Sequence, residues 1–132
     1  MIAFLVKEPM YGVPLRIVVG DYSDCRAYMK RKYNIDEPEN PTWWGGFATF
    51  LTYEGGGEGF IWLPRLEHGN IDDVAILAHE ILHICLRILD KVGIVTTMDN
   101  QEPICYLQEY FLRMVLKWVK RGADMKREEK DI

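Results

Sequence analysis

Cysteine and histidine are both scarce in this chain, with three of each among 132 residues. Cys25, Cys85 and Cys105 are odd in number and lack any C-x-x-C spacing. That excludes a cysteine-based zinc finger and argues against a disulfide framework, so buried free thiols in a reducing compartment are expected. No apolar run is long enough to span a bilayer, because His79 and His83 interrupt the best one. The apolar run at residues 2–6 is too short for a secretory signal, has no basic segment before it, and meets Lys7, Glu8 and Pro9. A cytoplasmic, intracellular setting is the expectation. Positive charge is not in excess: 16 basic against 20 acidic residues give a net charge of −4, so no global basic field points to nucleic acid or to an anionic membrane. No internal repeat is visible. The length suits one domain, residues 1–132, with a real core, and the remaining composition is that of an ordinary soluble protein.

The histidines are few but not scattered. His79-Glu80-Ile81-Leu82-His83 spells H-E-x-x-H. Shuffling this composition yields that pattern in roughly one chain in two hundred, so its context decides its meaning. Histidines four apart share one face of an α-helix, and their ring nitrogens can converge on one tetrahedral Zn²⁺. Glu80, one residue past the first ligand, can reach a zinc-bound water and take its proton. The flanking sequence supplies the helix. Asn70 is a good N-cap, Asp72 and Asp73 place negative charge in the first turn, and Gly93 is the first glycine or proline after a clear run at residues 71–92. The run is apolar over most of its circumference, which predicts a buried helix. Two histidines inside such a helix must be hydrogen-bonded or coordinated, since an unpaired buried polar group costs about 1–3 kcal/mol.

A hydrolytic zinc takes three protein ligands and one open position. Glu102, 19 residues after His83 at the start of the next apolar helix, is the leading third candidate. Glu109, His68, Cys105 and no third protein ligand are the alternatives. Glu102 also has a structural use, because Asp99-Asn100-Gln101-Glu102 reads as a D-x-x-E capping box with Pro103 in the first turn. The layout resembles the gluzincins, the thermolysin-like class of zinc metallopeptidases, over residues 71–118, through His79, Glu80, His83 and Glu102. It is also similar to compact H-E-x-x-H proteins of phages and prophages. The resemblance implies a minimal zincin-like metallopeptidase that hydrolyses a peptide bond of a protein or peptide substrate. It implies that a sheet-edge strand holds the extended substrate by strand addition. It further implies an oxyanion stabiliser, a role open to Tyr106 or His68, with Arg113 a weaker option. A second expectation is a zincin-fold module that no longer cuts and serves binding or assembly. A third is hydrolysis of a non-peptide amide by the same chemistry.

The rest of the chain reads as α+β: a small, mainly antiparallel sheet with an N-terminal helix, then the H-E-x-x-H helix and a C-terminal helix. Residues 16–19 form a β-branched run. Asp21 or Ser23 can cap a helix reaching Tyr33, and residues 34–41 are a polar, proline-bearing loop. Residues 47–53 and 59–63 flank a glycine-rich turn and predict a hairpin. Trp62 suits the core, while Trp43 and Trp44 suit an apolar wall at the entrance. A helix over residues 100–121 buries Ile104, Leu107, Phe111, Met114, Val115 and Trp118. Its opposite stripe holds Glu102, Tyr106, Glu109 and Arg113, the last two spaced for an i,i+4 pair. Asp72 or Asp90 can orient a ligating imidazole. The charged tail at 122–132 is expected to fray.

Overall fold

A computed structural model describes residues 1–39 and 45–130, with side chains as far as Gly122. The elements are β1 (Ile2–Lys7), β2 (Pro14–Val19), α1 (Tyr22–Tyr33), β3 (Phe47–Tyr53), β4 (Gly56–Leu63), α2 (Ile71–Lys91) and α3 (Glu102–Lys130). The strands form one sheet in the order β1-β2-β4-β3. β1 pairs antiparallel with β2, and β3 with β4, but β2 and β4 run parallel, with Leu15 opposite Gly59 and Val19 opposite Leu63. The sheet is therefore mixed, which corrects the expectation of a mainly antiparallel one. Side-chain alternation is the same in parallel and antiparallel strands, so the local pattern carried no information on this pairing. The direction follows from the long connection through α1, since parallel neighbours require a crossover.

Both faces of the sheet are covered. Phe60 and Trp62 of β4 point to one side and pack with Val18, Leu51 and the α1 residues Cys25, Tyr28 and Met29. Ile61 and Leu63 point to the other side and pack with Leu77, Ile81, Ile84 and Ile88 of α2 and with Leu107, Phe111 and Val115 of α3. Period-two alternation thus buries β4 throughout its second half. Trp62 is buried as expected, and its indole N–H donates to the Gly20 carbonyl at 2.9 Å. Trp43 and Trp44 lie outside the described residues. The hairpin forms, but β4 begins at Gly56, so the turn is only Glu54-Gly55, with Gly55 at φ +91°.

α2 has the predicted ends. The Asn70 side chain accepts from the Asp73 N–H at 3.0 Å. Past the other end, Ile94 N–H bonds the Leu89 carbonyl at 2.9 Å and Gly93 N–H the Asp90 carbonyl at 3.1 Å, with Gly93 at φ +79°. This is a Schellman closure. α3 differs from expectation at both ends. It starts at Glu102 and runs to Lys130, so the backbone of the segment expected to fray is helical through that residue. Trp118, expected on the buried side, stays partly open and stacks on Phe4 with ring centroids 3.8 Å apart. No helix among the described residues is long and apolar enough to cross a membrane.

Gly59 lets α2 approach the sheet. A Cβ built there would lie 2.8 Å from Ile84 Cγ2 and 3.2 Å from Leu15 Cδ1. Gly59→Ala is expected to destabilise the fold by about 1–3 kcal/mol through overpacking, read from the urea midpoint at unchanged slope. An unchanged midpoint would mean that α2 can back away freely.

Candidate metal centre

The connection into α2 is locked by a buried acid. Asp73 accepts from Arg65 Nε at 3.2 Å and from the Glu67 N–H at 3.0 Å. With that anchor and the buried stripe of Leu77, Ile81, Ile84 and Ile88, the rotation of α2 is set. His79 and His83 fall on the solvent side, the His79 side chain being 68% exposed. This corrects the expectation that both rings are buried. Apolar residues do occur nearly all round α2, but Ile76, Leu82 and Leu86 beside the histidines are themselves partly open to solvent.

The pair nonetheless converges. His79 Nε2 and His83 Nε2 are 3.2 Å apart, with the rings edge to face. Two nitrogens bound tetrahedrally to zinc at about 2.0–2.1 Å lie about 3.3 Å apart, so the donor pair fits two corners of such a site. Glu80 turns the other way. It is buried, and its Oε1 lies 4.0 Å from His79 Nε2. Four acids are buried among the described residues: Glu8, Glu58, Asp73 and Glu80. Glu8 accepts from the N–H groups of Met10 and Tyr11 and from the Tyr106 hydroxyl, while Glu58 accepts from Tyr33 and Arg16. Asp73 is held as described. Glu80 alone accepts no hydrogen bond among the described residues. Its carboxylate instead lines a cleft of about 590 Å³ between α2 and the edge strand β3, together with Ala48, Thr49, His83, Arg87 and Asp90.

The other candidates are distributed elsewhere. Among the described residues no group of three His, Cys, Asp or Glu side chains converges as a metal site. Glu102 does not join the histidines. The capping box predicted around it also does not form, because α3 begins at Glu102 and the preceding Gln101 carbonyl accepts from Cys105 N–H at 3.1 Å. Asp99 is therefore two residues outside the cap position. Glu102 is exposed, with no hydrogen bond or ion pair among the described residues. Glu109 pairs with Arg113, as its spacing predicted. Tyr106 donates to Glu8 Oε1 at 2.8 Å, just past β1 and at the opposite edge of the sheet from β3. That hydrogen bond, with some burial, pushes the Tyr106 phenol up to about 12. His68 lines an apolar cavity with Ile2, Phe4, Val19 and Trp118. It precedes α2, so His79 is a further 12 Å or so along the helix axis. Neither Tyr106 nor His68 reaches the histidine pair as an oxyanion stabiliser. Asp72 is exposed in the first turn, whereas Asp90 lines the cleft.

Sequence reasoning missed Arg87, which lines the cleft, and Gln108, whose amide donates to the Ala78 carbonyl at 3.3 Å and ties α3 to α2 beside His79. Arg87 was visible in principle, lying one turn after His83 on the same face. No protein-family model matches this sequence, and no curated protein or solved structure matches it. The site stands on its own geometry.

The cysteines are free, with Cys25 and Cys85 buried and Cys105 exposed. Burial pushes the Cys25 and Cys85 thiols up to about 12. A thiol reagent at about pH 8 is expected to label one cysteine per native chain and three after denaturation. Rapid labelling of all three without denaturant would contradict this packing.

Proposed function

We propose that the chain is a zinc-dependent metallopeptidase. The observation that carries this reading is Glu80, a residue largely buried whose carboxylate opens, without a hydrogen bond, into a cleft beside two imidazole nitrogens at zinc-ligand spacing. His79 and His83 would hold the metal. Glu102, free of partners at the first turn of α3, is the carboxylate available as a further donor. Zinc, when bound, supplies a Lewis acid that polarises a carbonyl and acidifies water. The chain's own groups do the rest. Glu80 takes the proton of the attacking water and delivers it to the departing amine, a role suited to a carboxylate kept clear of other hydrogen bonds. The edge of β3, which lies along the cleft, offers main-chain groups to an extended peptide, and the exposed Leu86 gives that peptide an apolar contact.

A second reading, a zinc-holding module that does not cut, is favoured by one observation: no third donor converges with the histidines among the described residues. Coordination separates the two. X-ray absorption of the zinc-loaded protein showing an open, solvent-filled position supports the peptidase, whereas four protein ligands support the module.

Elemental analysis of protein purified without added metal is expected to give about one zinc per chain, falling to background in His79→Ala. Glu80→Gln is expected to keep zinc and lose hydrolysis by at least about 100-fold. Full hydrolysis in Glu80→Gln would end the proposed chemistry, and no metal in the unaltered protein would end the zinc site.

A further inference from the structure

We infer that Arg87 binds a substrate carboxylate, so that peptides accepted in this cleft carry an aspartate or glutamate close to the bond being cut. The inference rests on the metallopeptidase reading for its cleavage step, but on the cleft alone for its recognition step.

Three observations carry it. Arg87 lies one helical turn beyond His83 and lines the same cleft as Glu80 and the β3 residues Ala48 and Thr49. β3 and α2 run side by side in the same sense. A Cβ built on Gly46 would lie 3.7 Å from Ile76 Cγ2, while at the other end the Lys91 ammonium sits 4.8 Å over the Phe50 ring. An extended peptide laid along β3 therefore passes Glu80 and then Arg87. From Glu80 to Arg87 the helix rises about 10.5 Å, the span of about three extended residues, which places the acidic side chain about three residues from the scissile bond.

The third observation is that Arg87 is uncommitted. Arg16, Arg26, Arg65 and Arg113 each form an ion pair, with Glu58, Glu39, Asp73 and Glu109. Arg31 lies 5.8 Å from the centre of the Tyr28 ring. Arg87 has neither kind of partner among the described residues, although Glu80 and Asp90 line the same cleft. A guanidinium presents a planar fork that matches a carboxylate with two parallel hydrogen bonds, and partial enclosure by the cleft strengthens the pairing relative to open water. Asp90, a further turn along, repels a second substrate carboxylate there and so favours one register.

The test uses the zinc-loaded protein, its Glu80→Gln variant, and Arg87→Glu and Arg87→Gln made in each background. A peptide library is digested and the cut sites are read by mass spectrometry. In parallel, anisotropy measures binding of a labelled glutamate-containing decapeptide, and of its glutamine counterpart, to the Glu80→Gln protein, which does not turn over. The expected result is cleavage that depends on Glu80, with Asp or Glu enriched about three residues from the cut. Arg87→Glu should shift that preference towards Lys and Arg by at least tenfold, and Arg87→Gln should abolish it. Glu80-dependent cleavage with no acidic preference, or with a preference unmoved by both Arg87 variants, overturns the Arg87 inference and leaves the peptidase standing. Absence of Glu80-dependent cleavage overturns the peptidase reading, and anisotropy then decides recognition. A glutamate peptide bound at least tenfold more tightly than its glutamine counterpart, with the difference lost in Arg87→Gln, upholds carboxylate binding, and equal binding of the two peptides overturns it.

Discussion

The seating of one face of α2 on the sheet governs the candidate site. Leu77, Ile81, Ile84 and Ile88 are fully enclosed, and each contributes about 1.5–3 kcal/mol relative to exposure. This stripe fixes the rotation of the helix about its own axis. At about 100° per residue, consecutive positions diverge sharply, so His79 faces solvent while Glu80 is drawn to the margin of the core. Turning α2 to bury the histidines would expose Ile84 and Ile88, a loss that no pair of imidazoles could offset. Gly59 sets how close the helix can come, and hence how near Glu80 lies to β3.

Buried acids elsewhere show what ordinary structural use looks like. Glu8 ties the β1–β2 turn to Tyr106 of α3, Glu58 joins β4 to Tyr33 at the end of α1, and Asp73 locks the entry to α2. Each receives enough hydrogen bonds to offset its desolvation. Glu80 departs from this pattern, and the departure sits beside the histidines. Its oxygens open to the cleft instead of being sealed among partners, and an unpaired acid at the margin of the core is the kind of local departure that marks functional positions.

Much of this was legible in the sequence. Asn70 and Gly93 bounded α2 because capping chemistry is local, and the glycine turn announced the β3–β4 hairpin for the same reason. The H-E-x-x-H spacing placed His79 and His83 on one helix face without reference to the rest of the chain. What was not legible is non-local. The parallel pairing of β2 with β4 depends on the path of the crossover, and the exposure of the histidines depends on which apolar side of α2 meets the sheet. An all-round apolar composition does not say which side that is. The start of α3 was misjudged by a cap register: Asp99 has the right residue type, but the chain bends once more at Thr97–Asn100 before the helix begins. Tyr106 was open to the oxyanion role that the resemblance implies, yet its phenol is claimed by Glu8, 98 residues earlier in the chain.

The openness of the two imidazoles has a consequence for metal choice. An i,i+4 histidine pair facing solvent binds divalent ions in the general order of their intrinsic affinities, with Cu²⁺ and Ni²⁺ ahead of or comparable to Zn²⁺. Nothing in a two-nitrogen site reverses that order, because geometric discrimination needs three or more donors held rigidly. Selection of zinc at the proposed site would therefore fall to the supply of metal in its surroundings and to whichever carboxylate closed the site, so that any metal bound there would record where the chain had been.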